Sequence, residues 1–327
     1  MVDGPVSVYV SMPLTGPRGP EGRDAADGAR LALGEAGGRA GDLEVRAEYL
    51  DDARGRPWDP AAVGENARRA VQDSTTTAYI GELDSQPTRA SLPITNQAGI
   101  AQVSPGAGGV DLTRPAESYP DSPDRYRPSG DPSFARVIPD DASQAAAVAT
   151  LARELGLERV ALAPVQTPAG ELANTEFERA AAEVGLEVVD ALGNAPAAFV
   201  PGVDGRMRLE AERDHVVTSA LDARRLPPGD FPARFAARFD REPGPYAAYG
   251  FEAMSLALGA IERAEDSDEE FRGSVVDAVL DAERPDSILG RYSITEDGDT
   301  TLCAIQPYTL DAGDPVPGKP LCGGLSG

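Results

Sequence analysis

The sequence predicts an α/β protein of two lobes, each built around a parallel sheet. Three observations carry that expectation. Apolar runs of strand length alternate with amphipathic stretches of helix length from Val6 to Val103. The alternation breaks at Thr113–Pro132, a stretch rich in Pro, Asp, Ser, Arg and Tyr, and restarts at Ala142. Two of the apolar runs, Ala78–Ile80 and Ile100–Val103, stop abruptly at Gly and small hydroxyl residues, as strands do at the carboxyl edge of an open sheet.

Taken in order, Val6–Met12 (VSVYVSM) reads as a strand ending in the turn Pro13-Leu14-Thr15-Gly16-Pro17. Arg23–Ala36 carries Ala26, Ala29, Leu31, Leu33 and Ala36 on an amphipathic helix, closed by Gly37-Gly38. Leu43–Leu50 is a strand ending at Asp51-Asp52, a pair expected to face solvent. Pro60–Asp73 then reads as a helix, Thr77–Ile80 as a strand, Gln86–Ala98 as a helix and Ile100–Val103 as a strand. Such an order builds a parallel sheet from right-handed βαβ units. Thr113–Pro132 reads as an exposed excursion toward the second lobe. There the helices Ala142–Leu155 and Gly170–Val184 alternate with the strands Arg159–Ala163 and Leu186–Leu192. Ala197–Val200 is a further strand, followed by the turn Pro201-Gly202-Val203-Asp204-Gly205 and the short strand His215–Thr218. Asp230–Asp240, Pro245–Ala264 and Asp266–Asp281 read as helices, the second being the longest of the chain. Arg291–Ile294 and Leu302–Tyr308 are late strands, expected to pair across Asp297-Gly298.

Composition excludes several classes of function. With 54 acidic against 30 basic residues the 327-residue chain carries −24, which repels nucleic acid and anionic lipid. A single lysine, Lys319, leaves 29 of the basic residues as Arg. No apolar run approaches the ~20 residues of a membrane span. Met1 is followed directly by polar residues and then a strand, so an exported protein would have had its signal removed. The two cysteines, Cys303 and Cys322, are 19 positions apart and read either as a disulfide or as two unrelated buried thiols. The Pro, Gly and Asp residues between them make a closed loop reasonable, and the bridge is the preferred reading.

The chemistry-bearing stretch is Ala78–Thr88, echoed at Gly99–Gly109. In the first, Asp84 or Ser85 is a good helix N-cap and Pro87 is tolerated in the first turn. A Ser hydroxyl beside a helix N-terminus attracts anions, because unpaired N–H groups and the macrodipole point at one spot. Ser85 also reads as a cap and nothing more. Elsewhere the signals are weaker. His215 lies in an apolar strand and reads as packed, which removes His-based triads and multi-His metal sites. Gly106-Ala107-Gly108-Gly109 fails the dinucleotide-loop spacing at Leu112. Tyr246 and Tyr249 read as helix-packing residues. No cofactor is implied.

Taken together, Pro13–Pro17, Asp27–Ala32, Asp51-Asp52, Ile80-Gly81 with Ser85 and Thr88, Pro93-Ile94, Ala98–Ile100, Val103–Pro105, Leu112-Thr113, Gly244–Tyr249, Ile288–Gly290 and Asp297–Asp299 follow in an order that resembles the type I periplasmic binding proteins of branched-chain amino-acid transport, in an actinobacterial lipoprotein-type form. The resemblance implies two Rossmann-like lobes joined by three hinge crossovers, residues 1–115 with 245–290 and residues 116–244 with 291–327. It implies a monomer outside the cytoplasm, lipid-anchored in the full-length precursor, that delivers a small ligand to an ABC-transporter permease. By the same resemblance Ser85 matches the carboxylate-binding Ser, with Thr88 in the same motif. The backbone of Ala107 and Gly108 matches the segment holding the rest of the ligand's carboxylate and ammonium. Asp204 falls where a Glu pairs with the ammonium, although Asp204-Gly205 reads equally as a turn. Glu21 falls in a loop that lines the cleft in the family, and reads also as a solvated charge. Three departures stand out: Gly108 replaces a Thr, Pro164–Gly170 lacks a cleft Tyr, and one strand-helix unit of ~30 residues is missing between Leu192 and Ala197. The second lobe is therefore expected to be shortened. Two other functions share these features, a ligand-sensing ectodomain of a signalling receptor and, further off, an enzyme working through carboxylates.

Overall fold

The structure, a computed structural model, describes residues 4–189, 195–202, 206–227, 229–265, 270–312 and 314–322. The chain opens with β1 (Val6–Met12), α1 (Gly19–Glu35), β2 (Arg39–Ala40), β3 (Leu43–Asp51), α2 (Pro60–Gln72), β4 (Thr76–Ile80), α3 (Ser85–Gln97), β5 (Ala101–Ser104) and β6 (Phe134–Arg136). These strands form one sheet in the order β2-β3-β1-β4-β5-β6, parallel except for the short β2–β3 pair. All seven residues of β1 are buried, as expected of a central strand covered on both faces. Val6, Val8, Val10 and Met12 belong to a core shared with Ala25, Ala29 and the helix at Tyr246–Ala264. Tyr9 points the other way, onto Ala67 and Ala70 of α2 and Tyr79 of β4. Side-chain caps start α2 and, further along, the helices Asp141–Glu154 and Pro168–Glu183. Asp59 caps α2 by accepting from the N–H groups of Ala61 and Ala62, both at 3.0 Å, with Pro60 just inside. α1 starts four residues before the expected Arg23, because Pro20 suits a first turn. Glu21 is therefore on a helix rather than in a loop.

The second part runs α4 (Asp141–Glu154), β7 (Arg159–Leu162), α5 (Pro168–Glu183), β8 (Glu187–Val189), β9 (Ala198–Val200), β10 (Arg206–Glu210), β11 (His215–Thr218), α6 (Phe231–Phe239), α7 (Pro245–Ala264), α8 (Phe271–Leu280), β12 (Glu283–Arg284), β13 (Tyr292–Ser293), β14 (Ala304–Asp311), β15 (Asp314–Pro317) and β16 (Leu321–Cys322). Its main sheet has the order β15-β14-β11-β10-β9-β7-β8, with β16 on β14. Only β7, β8 and β9 are parallel; from β10 onward the pairs are antiparallel. The second sheet is thus parallel at its β8 end and antiparallel at its β15 end. Two antiparallel returns, β9 to β10 and β10 to β11, widen the sheet beyond its parallel strands. β10 alternates exposed and buried, with Met207 and Leu209 in the core under α4 and α5 and Arg206, Arg208 and Glu210 on the outer side. That period of two was the signal for β10, which the sequence reading had passed over.

An expected boundary moves. β6 pairs with β5, so the chain stays on the first sheet to Arg136 rather than leaving it at residue 115. The segment before β6 is not an exposed excursion either. Tyr126 is buried and donates to Asp111 Oδ2 at 2.8 Å, Tyr119 lies under the Arg89 guanidinium at 4.1 Å, and Asn96 Nδ2 bonds Asp131 O and Ser133 Oγ at 2.8 Å. Likewise Phe231 and Phe235 of α6 join the first core. The late strands do not form a hairpin: β13 pairs with β12 and β14 with β11, leaving a single bridge between Ile294 and Thr300. A cavity of about 420 Å³ is lined by residues that include Arg114, Asp140, Ser143 and Asp299, and among the described residues by none of the expected ligand-binding ones.

α1 and α7 pack closely enough that a Cβ on Gly28 would lie 1.9 Å from the Ala247 carbonyl oxygen, and one on Gly250 2.0 Å from that of Ala25. Glycine at both positions lets the backbones touch, and the contact returns α7 to the first lobe. Cys303 and Cys322 form a disulfide, S–S 2.05 Å, that ties the start of β14 to β16. Among the described residues no helix is long and apolar enough to cross a membrane.

Candidate functional site

The carboxyl ends of β1, β4 and β5 lead into the N-termini of α1 and α3 and into the loop 105–109, so the polar groups of these turns gather at one edge. Asp84 holds the N-cap position of α3 with extended backbone, yet its side chain does not cap. Instead it receives Arg18, with Nη2 to Oδ1 at 2.8 Å and Nε to Oδ2 at 3.3 Å. Arg18 is 7% exposed and its guanidinium lies 5.7 Å from the Tyr246 ring centroid. Burial opposes its charge, but Asp84, Tyr246 and Glu21 outweigh burial and raise its pKa, so Arg18 is a permanent cation. Its Nη1 is 3.6 Å from Glu21 Oε1, and the same carboxylate oxygen is 3.3 Å from Arg206 Nη2 on β10. The chain Asp84–Arg18–Glu21–Arg206 thus alternates in sign and crosses from the first sheet to the second.

Behind it the loop after β5 is held from below. Ser104 Oγ donates to Glu82 O at 2.6 Å and accepts from the N–H of Ala107 at 2.8 Å and of Gly106 at 3.2 Å. Arg136, 0% exposed, donates from Nη1 to the carbonyls of Ala107 (2.9 Å) and Gly109 (3.0 Å) and from Nη2 to Thr113 Oγ1 (2.7 Å), with Nε 2.8 Å from Asp299 Oδ1. One guanidinium therefore joins this loop to the hinge segments at Arg136 and Asp299. Asp141, at the first position of α4, donates its N–H to Gly108 O at 2.8 Å. Burial pushes its carboxyl up to about 6, against the pull of Arg136.

Under the edge lies a sealed polar layer. Glu82 accepts from Tyr79 Oη at 2.6 Å and from Ser91 Oγ at 2.5 Å, and Gln102 links Ser91, Gly81 O and Thr95. Burial raises Glu82 to about 7, partly offset by the hydroxyls of Ser91, Tyr79 and Ser11. Asp52 beside it is fully buried, and neither carboxyl oxygen has a hydrogen-bond partner among the described residues. Burial, then the negative charges of Glu82, Asp84 and Asp51, push it up to about 9. The expectation that Asp51-Asp52 faces solvent therefore fails for Asp52, whose strand ends inside. Asp51 is half-buried and anchors the 14–15 turn through Leu14 N and Thr15 Oγ1.

The expected site residues separate into three groups. Ser85 stands at the start of α3 as expected, and its Oγ accepts the Gly109 N–H at 2.7 Å. Glu21 lies between the two arginines. A Cβ on Gly108 would lie 2.3 Å from Asp141 Oδ1, so a side chain there would make that carboxylate turn aside. Thr88 and Ala107 are both buried. Thr88 is 0% exposed, accepts from Glu82 N at 3.3 Å and donates to Asp84 O at 2.9 Å, while the Ala107 N–H is held by Ser104. Asp204 lies outside the described residues. His215 is buried, as expected, with Nδ1 3.3 Å from Thr309 Oγ1. Sequence reasoning passed over Arg18, Arg206 and Asp141. Arg18 and Arg206 belong to an arginine-rich composition and had no motif to mark them. Asp141 follows the capping Asp140 at a helix start, where an acidic residue is ordinary.

A family model described as Periplasmic binding protein matches residues 5–198. Among solved structures, a leucine-binding protein of Thermotoga maritima is 19% identical with TM-score 0.75, covering 97% of this chain and 98% of that one. A branched-chain amino-acid transporter substrate-binding protein of Streptococcus pneumoniae, solved with isoleucine, is 15% identical with TM-score 0.72 over 97% and 99% of the two chains. An ABC-transporter solute-binding protein of Rhodopseudomonas palustris, solved with 3,4-dihydroxybenzoic acid, is 16% identical with TM-score 0.74 over 98% and 97%. At these identities the likeness is one of fold. No curated protein matches the chain in sequence.

Proposed function

The chain belongs to the periplasmic binding protein family, and on that premise we propose that it is an extracytoplasmic solute-binding protein that closes two lobes on an amino acid or related small carboxylate and delivers it to an ABC importer. The observation that carries the reading is the ion-pair chain running from Asp84 through Arg18 and Glu21 to Arg206 of the other lobe. Such a cleft is suited to closing by hinge motion over something small and charged. In this reading the first lobe is residues 4–138 with 220–294, and the second is 139–219 with 295–322. Ser85 and the N-terminus of α3 supply donors for an anion, and Asp141 and Asp204 supply counter-charge for an amine. The protein works as a monomer with a permease as partner and leaves its solute chemically unchanged. Amino-acid and aromatic-acid ligands in the structural neighbours support a small acid as the class to test first.

Thermal unfolding against a panel of amino acids, aliphatic and aromatic acids, amides and sugars tests the proposal, with NMR of each hit for chemical change. A ligand at a thousand times its Kd adds about 4 kcal/mol of stability, enough to raise Tm by several degrees. A shift with unaltered solute is the expected result; turnover of the solute, or no shift across the panel, defeats it.

A further inference from the structure

We propose that the gap between Arg18 and Arg206 is the anchoring point for the carboxylate of a small organic acid, and that Glu21 fills it as an internal competitor. The inference rests on the solute-binding reading and names the chemical class and the residues that select it.

Arg18 is the buried half of the anchor, its side chain 9% exposed. Asp84 takes Nε and Nη2, and Nη1 has no hydrogen-bond partner among the described residues. Glu21 Oε1 is its nearest acidic atom, and 3.6 Å is beyond hydrogen-bond range. A buried guanidinium donor without an acceptor is rare, and a free carboxylate could satisfy it. Glu21 is tethered to α1, and its single oxygen Oε1 is shared between Arg18 Nη1 at 3.6 Å and Arg206 Nη2 at 3.3 Å. A free solute has no such tether and can accept from both guanidinium groups at full strength, joining the lobes as it does so.

Charge decides the sign of the solute. Along the chain of contacts Asp84 meets Arg18, Arg18 meets Glu21 and Glu21 meets Arg206. An acid entering between the arginines takes over the role of Glu21, whose partly exposed side chain can turn to solvent, and keeps the lobes bridged. An amine would have to bind Glu21 by displacing Arg206, which removes the contact between the lobes.

The test is titration calorimetry with benzoate, glutarate, benzylamine and leucine on the intact protein and on its Glu21→Gln and Arg206→Gln variants. Both side chains are partly exposed, and a melting curve on each variant checks that the fold is kept. Removing the competitor in Glu21→Gln should tighten binding of at least one acid by about tenfold, and Arg206→Gln should weaken it by about tenfold or more, as expected for charge-assisted hydrogen bonds. If neither acid binds the Glu21→Gln protein, or if both acids bind all three proteins alike, the inference falls. Benzylamine binding that Glu21→Gln abolishes also overturns it, by making Glu21 the ligand's counter-charge. Leucine binding equally to all three proteins would leave the solute-binding reading standing and defeat the inference alone.

Discussion

Asp52→Asn is expected to stabilise the protein at neutral pH, and increasingly so as pH rises. Asp52 is fully buried beside Glu82 with neither oxygen hydrogen-bonded among the described residues, and burial and like charge push it up to about 9. In the unfolded chain its pKa returns to about 3.9. The folded pKa is the higher one, so folding takes up a proton between these values. The associated stability is complete below the unfolded pKa and is lost as pH rises toward the folded one. Each pH unit in that window removes about 1.4 kcal/mol. Between pH 5 and pH 8 the loss attributable to Asp52 is about 4 kcal/mol, and Asn, which does not titrate, lacks it. The new amide brings its own buried donors, at a cost of about 1–3 kcal/mol, but that term is independent of pH. The slope is therefore the test and the intercept is not. Urea unfolding followed by circular dichroism at pH 5, 6, 7 and 8 and constant ionic strength should give a stability difference that grows by about 1.4 kcal/mol per unit. Parallel pH profiles for the two proteins would mean that Asp52 is ionised in the native state, and the account of the sealed layer would be wrong. Glu82, raised to about 7, titrates within the same range in both proteins and so largely cancels in the difference.

Other expectations follow from packing and from the hinge. Gly28→Ala places a methyl 1.9 Å from the Ala247 carbonyl and should lower stability by about 1–3 kcal/mol as overpacking does; an unchanged urea midpoint would show that α1 and α7 are not in contact there. Arg136→Met removes the cation that holds the carbonyls of Ala107 and Gly109, Thr113 and Asp299, and should lower unfolding free energy by about 3–5 kcal/mol. Arg136→Lys should restore only part of the loss, since an ammonium cannot reproduce the planar fork, and full rescue by Lys would refute the geometry. Replacing Cys303 and Cys322 together by Ser opens a loop of 19 residues' separation and should cost about 3 kcal/mol on the chain-entropy account. Thermal unfolding with and without reductant checks this, and identical curves would count against the bridge.

Much of the architecture was legible in local pattern. VSVYVSM, TTAYI and AQVS are apolar runs too short for helices and bounded by turn residues, and each is a buried strand. Ser85 at the start of α3 was readable because a helix N-terminus after a strand is a local event. The second lobe was less legible. R-M-R-L-E is charged at every other position, and it became a strand only because β9 and β11 offered pairing on both sides. The boundary at residue 115 failed for a related reason: Pro- and Asp-rich composition suggested solvent, while Tyr126, Tyr119 and Asn96 had partners far away in sequence.

What the sequence determined by itself were the short-range matters: the alternating α/β order, the helix starts at Pro and Asp, the glycine-bounded strand ends and the large negative charge. These depend on residues within a few positions of one another. What only the tertiary structure decided was which charges meet. Arg18 and Glu21 share the start of α1, but Asp84 and Arg206 come from α3 and β10, and Asp52 is pushed toward its neutral form by burial first and by the charge of Glu82 second. An arginine or a carboxylate carries the same charge anywhere in the chain. Its pKa, its partner and its use are set by distance and desolvation, which exist only once the lobes are assembled.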